Sequence, residues 1–204
     1  MRVNLPNQIT IGRLGIAFVF FALLSVYRQG TSPSWYLDVG LVIFILAAAT
    51  DALDGYLARK HNQVTSLGRI LDPFVDKVLV CGAFILFVGP SFVDVQSGRH
   101  VTEVQPWMVV LIVGRELLVS SLRSFCESRG ISFGASFSGK AKMIVQSVAA
   151  PVILFLIAHP KVLGPENSDV VKAVLAWLTV LVTVASMSAY LMKSRMILSE
   201  ASPS

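Results

Sequence analysis

Long apolar stretches broken by short polar ones set the pattern of this chain, and the apolar lengths match helices that cross a bilayer. The opening MRVNLPNQITIGR is polar and basic, with Pro6 placed to start a helix, and an apolar run follows from Leu14 to Val26. Basic residues before such a run also mark signal peptides, but no small-residue cleavage site follows, so the run reads as a retained span. The pattern predicts six helical spans: Thr10 to Tyr27, Trp35 to Arg59, Ser66 to Gly89, Gln105 to Ser124, Lys140 to His159 and Val170 to Leu191. Between them lie turn signals at Gly30 to Ser34, Gly89 to Val104, Glu127 to Gly139 and His159 to Ser168. Trp35 and Tyr36 suit an interfacial belt. Pro73 and Pro151 fall inside spans and predict local bends. With no internal repeat and no composition break, residues 1–204 read as one all-α, polytopic membrane domain of six transmembrane helices.

Composition supports that class. The chain is 54% hydrophobic and only 14% charged, against about 25% charged residues in soluble domains. Its mean hydropathy is +0.71. A net charge of +5 raises nucleic acid as a partner, but the basic residues sit beside apolar spans, where anionic lipid or a phosphate-bearing substrate explains them better. Arg2, Arg13, Arg59, Lys60, Arg69, Arg123, Arg129, Lys140, Lys142, Lys193 and Arg195 fall on one side of a six-span model. Arg28, Arg99, Lys161 and Lys172 fall on the other. The positive-inside rule then puts both termini in the cytosol. Cys81 and Cys126 show no metal-ligand spacing and read as packing residues.

The chemistry concentrates in DALDGYLARKHNQVTSLGRILDPFVDK, from Asp51 to Lys77. Asp51, Asp54, Gly55 and Ala58 share one helix face, and Gly68, Asp72 and Asp76 share another, because residues three and four apart line up. Four carboxylates together near a membrane would cost on the order of 10 kcal/mol if nothing neutralised them. Oxygen ligands so arranged suit hard divalent cations, which usually hold phosphates as well. From Gly68 to Asp76 the helical rise is about 12 Å, which places the acidic cluster in a cavity below the cytosolic membrane edge.

A second, basic constellation holds Arg115, Arg123, Lys140 and Lys142. Arg115 stands about 12 Å inside the fourth span by helical rise, a depth similar to that of Asp76. Glu116 is adjacent in sequence and is expected to point elsewhere, so Arg115 needs an anion from another helix or from substrate. Lys140 and Lys142 are expected at the start of the fifth helix, where the dipole is already positive and an anion is welcome. His61, His100 and His159 read as loop residues without a part in the chemistry.

The spacing D-x2-D-G-x2-A-R-x8-G-x3-D-x3-D, carried by Asp51, Asp54, Gly55, Ala58, Arg59, Gly68, Asp72 and Asp76, resembles the signature of the CDP-alcohol phosphotransferase family at every fixed position. The resemblance implies a six-helix membrane enzyme, a homodimer, with two divalent cations, Mg²⁺ or Mn²⁺. Asp51, Asp54, Asp72 and Asp76 would hold the metals, and Asp76 would also be the general base. Asp54, Gly55, Ala58, Arg59 and Gly68 would form the cytidine-nucleotide site. The segments NLPNQITIGR, GRILDPFVDK, GREL and SGKAKM are similar to the phosphatidylglycerophosphate synthase subgroup, which takes CDP-diacylglycerol and sn-glycerol 3-phosphate in a bacterial inner membrane. Arg115, Arg123, Lys140 and Lys142 would then meet the acceptor phosphate. Inositol phosphate, serine and phosphatidylglycerol are rival acceptors within the family. A cation transporter is the rival of another class, disfavoured because the acids cluster at one membrane face and no inverted repeat is present.

Overall fold

Helical periodicity and the turn residues between apolar runs yield, among the described residues of the computed structural model, an all-helical chain with no strand. The backbone is described for residues 5–60, 66–131 and 137–200, and side chains for those residues except 5–9, 51–60, 66–73, 76, 137, 193 and 195–200. Six long helices occur in order: α1 Leu5–Val26, α2 Trp35–Lys60, α3 Ser66–Phe87, α4 Pro106–Ser128, α5 Phe137–Ala158 and α6 Pro165–Glu200. A 3-10 turn, Pro90–Phe92, follows α3.

Each predicted span has its helix, and the differences lie at the ends. Polar residues read as linker continue the helices: α4 runs on to Ser128, α5 starts at Phe137, and α6 extends from Pro165 to Glu200. Helices can project beyond the apolar stretch that drives their burial, so hydropathy under-reads their length. α4 stops at Gly130, whose φ of 73° suits glycine. There Ile131 N–H donates to the Cys126 carbonyl at 2.9 Å and Gly130 N–H to that of Glu127 at 3.0 Å, a Schellman closure. Ile131 packs beside Cys126, Val119 and Tyr190, which fixes the end of α4 against α6. α5 passes through Pro151 as one helix.

The core gathers one stripe from every helix. Phe20 and Leu24 of α1, Leu37 and Phe44 of α2, and Phe84 and Phe87 of α3 are fully buried together with Ile153 and Leu154 of α5. α1 packs on α2 and α3, α2 on α5, α5 on α6, and α6 on α4. The outward faces carry large apolar side chains, among them Phe18, Val110 and Leu181, at 60%, 71% and 62% exposure. Such a surface needs an apolar solvent. Among the described residues, Ser138–Ala158 and Pro165–Met192 are long and apolar enough to cross a membrane; Thr10–Val26, Trp35–Thr50 and Lys77–Phe87 are shorter apolar stretches.

One end of the bundle is closed by polar ties between connections. Arg28 Nη1 donates to the Ser91 hydroxyl at 2.9 Å and to the Ser25 and Tyr27 carbonyls. His159 Nε2 meets Asp38 Oδ1 at 2.9 Å, joining the residue after α5 to α2. Lys172 pairs with Asp169 at 2.8 Å and donates to the Val101 carbonyl. In the same region the exposed Asp94 carboxylate accepts the Ser97 and Gln96 amides, which hold its pKa below the ordinary value.

Candidate active site

α3, α4, α5 and α6 enclose a cavity of about 310 Å³, away from those ties. Lys77 lines it from α3; Arg115, Glu116, Ser120 and Arg123 from α4; Lys140, Lys142 and Gln146 from α5; and Tyr190 from α6. Arg115, Arg123, Lys140 and Lys142, widely separated in sequence, thus share one wall system. Lys77, absent from the sequence-based set, makes a fifth cation. Helical spacing explains their convergence: Arg115, Val119 and Arg123 recur four apart on α4, as do Lys142 and Gln146 on α5.

The buried members are tied rather than loose. Glu116 Oε1 accepts from Arg115 Nη1 at 2.8 Å, and the same oxygen accepts from Lys142 Nζ. All three residues are at most 6% exposed. Arg115 Nη2 donates to the Ser186 hydroxyl at 2.6 Å, and the guanidinium lies 5.3 Å from the Tyr190 ring centroid. Lys77 donates to Ser120, whose hydroxyl donates in turn to the Glu116 carbonyl at 2.5 Å. Gln146 donates to Thr183 at 3.2 Å, completing a polar seam across four helices. Breaking such a network leaves buried groups without partners, which is costly in a low-dielectric interior.

Two expectations change here. Glu116 does not point away from Arg115: its side chain folds back to the guanidinium while reaching Lys142 on α5. Neighbours on a helix are about 100° apart, but two long, flexible side chains can still converge when a third charge draws them together. Lys140 and Lys142 are the fourth and sixth residues of α5, because the helix begins at Phe137. Lys142 therefore stands beyond the first turn, where the dipole weakens, and its anchor is Glu116.

Two arginine nitrogens remain. Arg115 Nε and Arg123 Nε are buried and have no hydrogen-bond partner among the described residues. Among the described residues, Arg123 Nη2 donates to the Tyr190 hydroxyl at 3.4 Å. Unmet guanidinium N–H groups in a cavity whose described lining holds five cations and one carboxylate suit an oxyanion.

The aspartate motif flanks this cavity in the chain. Asp51, Asp54, Gly55, Ala58 and Arg59 fall on α2, and Gly68, Asp72 and Asp76 on α3; their side chains lie outside the described residues, as does His61. The backbone supplies their register. Asp54 is six residues before the end of α2 at Lys60, and Asp72 six residues after the start of α3 at Ser66. Each is therefore about 9 Å along its helix from the connected ends. Among the described residues, no three His, Cys, Asp or Glu side chains gather as metal ligands.

A family model described as CDP-alcohol phosphatidyltransferase matches residues 3–185. The chain belongs to that family. This CDP-alcohol phosphatidyltransferase is 35% identical over 192 residues to the CDP-diacylglycerol–glycerol-3-phosphate 3-phosphatidyltransferase of Rickettsia bellii, covering 92% of this chain and 93% of that protein. It is 35% identical over 159 residues to the protein of that name from Bacillus subtilis, covering 74% and 76% of the two chains. The Yersinia enterocolitica protein of that name is 32% identical over 197 residues, 94% of each.

A CDP-alcohol phosphatidyltransferase is a transferase, and family membership together with the apolar helices makes this one a membrane protein. Sequence reasoning missed Lys77, Glu116, Ser120, Gln146 and Tyr190 as cavity residues. A signal was present for two: Glu116 and Lys77 are charged residues within otherwise apolar helices, which need partners or a cavity. Tyr190 and Gln146 carried none, since aromatic and amide side chains in a helix commonly only pack.

Proposed function

We propose that this membrane enzyme transfers the phosphatidyl group of CDP-diacylglycerol to sn-glycerol 3-phosphate, giving phosphatidylglycerophosphate and CMP. The observation that carries the proposal is the cavity of five cationic side chains, with two unmet arginine N–H groups, opening beside Lys77, the residue directly after Asp76. A phosphomonoester carries about two negative charges. A neutral alcohol or serine would leave those cations unbalanced. Among phosphorylated alcohols, glycerol 3-phosphate is favoured by the names of the relatives.

Arg115, Arg123, Lys140 and Lys142 bind the acceptor phosphate in this reading, with Lys77 at its edge. The acceptor's primary hydroxyl then faces Asp76. Asp76 takes the hydroxyl proton, the oxygen forms a bond to the phosphorus attached to the lipid, and the bond to CMP breaks with its electron pair on CMP. Asp54, Gly55, Ala58, Arg59 and Gly68 hold the cytidine nucleotide. Arg59 suits phosphate through its fork of donors, and the glycines let backbone approach the nucleotide.

Asp51, Asp54, Asp72 and Asp76 are an all-oxygen donor set of the kind hard divalent cations take, with Asp54 and Asp72 each six residues from the connected ends of consecutive helices. When bound there, two Mg²⁺ or Mn²⁺ ions supply Lewis-acid polarisation of the phosphoryl oxygens. The same reading places all six helices across a bacterial inner membrane, with the site and both termini cytosolic. It takes residues 1–204 as one domain, in a homodimer.

An acceptor panel tests it. Purified protein with Mg²⁺ or Mn²⁺, labelled CDP-diacylglycerol and one acceptor at a time should form lipid product, identified by mass, far faster with glycerol 3-phosphate than with glycerol or inositol phosphate. Equal rates with glycerol would remove the phosphate pocket. Preference for inositol phosphate would move the enzyme to another acceptor class.

A further inference from the structure

We propose that Glu116 is a positioning residue for acceptor recognition: one carboxylate oxygen clamps Arg115 and Lys142 into a preformed cation pair. The proposal rests on the assignment of the cavity to the acceptor phosphate. A carboxylate in an anion site is otherwise hard to explain, because by charge alone it repels the ligand.

The geometry gives it another task. Arg115 on α4 and Lys142 on α5 are buried, and two like charges there would separate toward water or neighbouring helices without a shared counter-ion. Glu116 Oε1 meets Arg115 Nη1 at 2.8 Å and also accepts from Lys142. Ser186 holds the second arm of Arg115 at 2.6 Å. The Glu116 backbone is fixed in turn, since its carbonyl accepts from Ser120, which Lys77 contacts. With Arg115 held at both terminal nitrogens, its unmet Nε–H has a fixed direction. The phosphate thus meets organised donors and need not assemble them, which lowers the ordering cost of binding.

The sign of a kinetic effect separates this role from simple electrostatics. Removing a negative charge from an anion site should lower KM for glycerol 3-phosphate if Glu116 acts only through its field. If it acts by positioning, Glu116→Gln should raise that KM by about 10- to 100-fold, the loss expected for hydrogen bonds to charged groups. KM for CDP-diacylglycerol and kcat should move little. An unchanged or lowered KM for glycerol 3-phosphate would overturn the proposal. Glu116→Asp keeps the charge on a shorter arm and should give a smaller increase; it carries the same test if the glutamine variant does not fold. In a Lys142→Met background, Glu116→Gln should add much less than its separate factor, because one of the groups it positions is gone. Fully multiplicative increases would overturn the coupling. Lys140→Ala, measured in parallel, separates the two levels. If it raises KM for glycerol 3-phosphate while Glu116→Gln does not, the positioning role alone fails. If Lys140→Ala has no effect, the acceptor assignment fails and this proposal with it.

Discussion

Arg115 and Lys140 line the same cavity but are held very differently, so truncating each should separate binding from stability. Arg115 is 5% exposed and donates to Glu116 and Ser186, which lie on α4 and α6. Lys140 is exposed near the start of α5. Arg115→Ala deletes two hydrogen bonds of a charged group, each worth about 1.5–3 kcal/mol in soluble proteins. Interhelical hydrogen bonds in membranes average nearer 0.6 kcal/mol, and Lys142 still satisfies Glu116, so the lower part of the range is the better guide. Two bonds at about 0.6–1.5 kcal/mol each give a net loss of about 1–3 kcal/mol, a midpoint roughly 2–12 °C lower for a chain of this size. Lys140→Ala should leave the midpoint within about 1–2 °C, as for surface substitutions away from buried contacts. Both variants should raise KM for glycerol 3-phosphate far more than that for CDP-diacylglycerol. Thermal unfolding in detergent, followed by tryptophan fluorescence, and initial rates with each substrate varied provide the assay. Equal midpoints for the two variants would refute the energetic weight given to the Arg115 network. A KM effect confined to CDP-diacylglycerol would refute the cavity's assignment.

The remaining predictions concern the acidic motif, the cavity and the core. Asp51→Asn, Asp54→Asn or Asp72→Asn should each abolish turnover at ordinary Mg²⁺ or Mn²⁺; normal rates for all three variants in the presence of chelator would remove the two-metal assignment. Asp76→Asn should retain substantial CDP-diacylglycerol binding while slowing the chemical step by about 10²–10⁴-fold; binding lost in proportion to rate would make Asp76 chiefly a metal ligand. Glycerol 3-phosphate alone, at a hundred times its Kd, should stabilise the protein by about 2.7 kcal/mol, and a midpoint that does not move would argue against a preformed acceptor site. A Cβ on Gly82 would meet the Phe21 ring at 2.3 Å, so Gly82→Ala should cost about 1–3 kcal/mol from overpacking. In a Phe21→Ala background the same change should become neutral or stabilising, since alanine is the better helix former.

The six helices were legible because hydropathy and turn residues act locally. Their ends were not, since polar residues such as Glu166, Ser138 and Glu127 continue a helix as readily as they leave it. The acidic motif was legible as a motif because its spacing lies within one helix–turn–helix segment. The basic cluster was legible as a set of charges stranded in or beside apolar spans, which fixed their need for partners. Which partner each would find was not, because that depends on how α4 packs against α6 and on the reach of Lys142 from α5. Glu116 shows the limit most clearly. Its neighbour in sequence was dismissed on helical angle alone, whereas the length of both side chains and the arrival of Lys142 from α5 decide the contact.

The polar seam also bears on why these helices hold together where the site is. In lipid, helix association gains no hydrophobic drive and depends on packing and interhelical hydrogen bonds. The apolar cluster of Phe20, Phe44, Phe84, Phe87, Ile153 and Leu154 supplies close packing. Around the cavity, Lys77 to Ser120, Arg115 to Ser186, Lys142 to Glu116 and Gln146 to Thr183 join α3 to α4, α4 to α6, α5 to α4 and α5 to α6. A buried ion network is a poor way to gain stability, because well-packed apolar residues of similar volume often do as well or better. Its retention therefore points to what it presents to the cavity: fixed cations, set at the level of Lys77 and hence one residue from Asp76. The packed apolar cluster holds the helices, while on the proposed assignment the seam keeps charge where the acceptor phosphate binds.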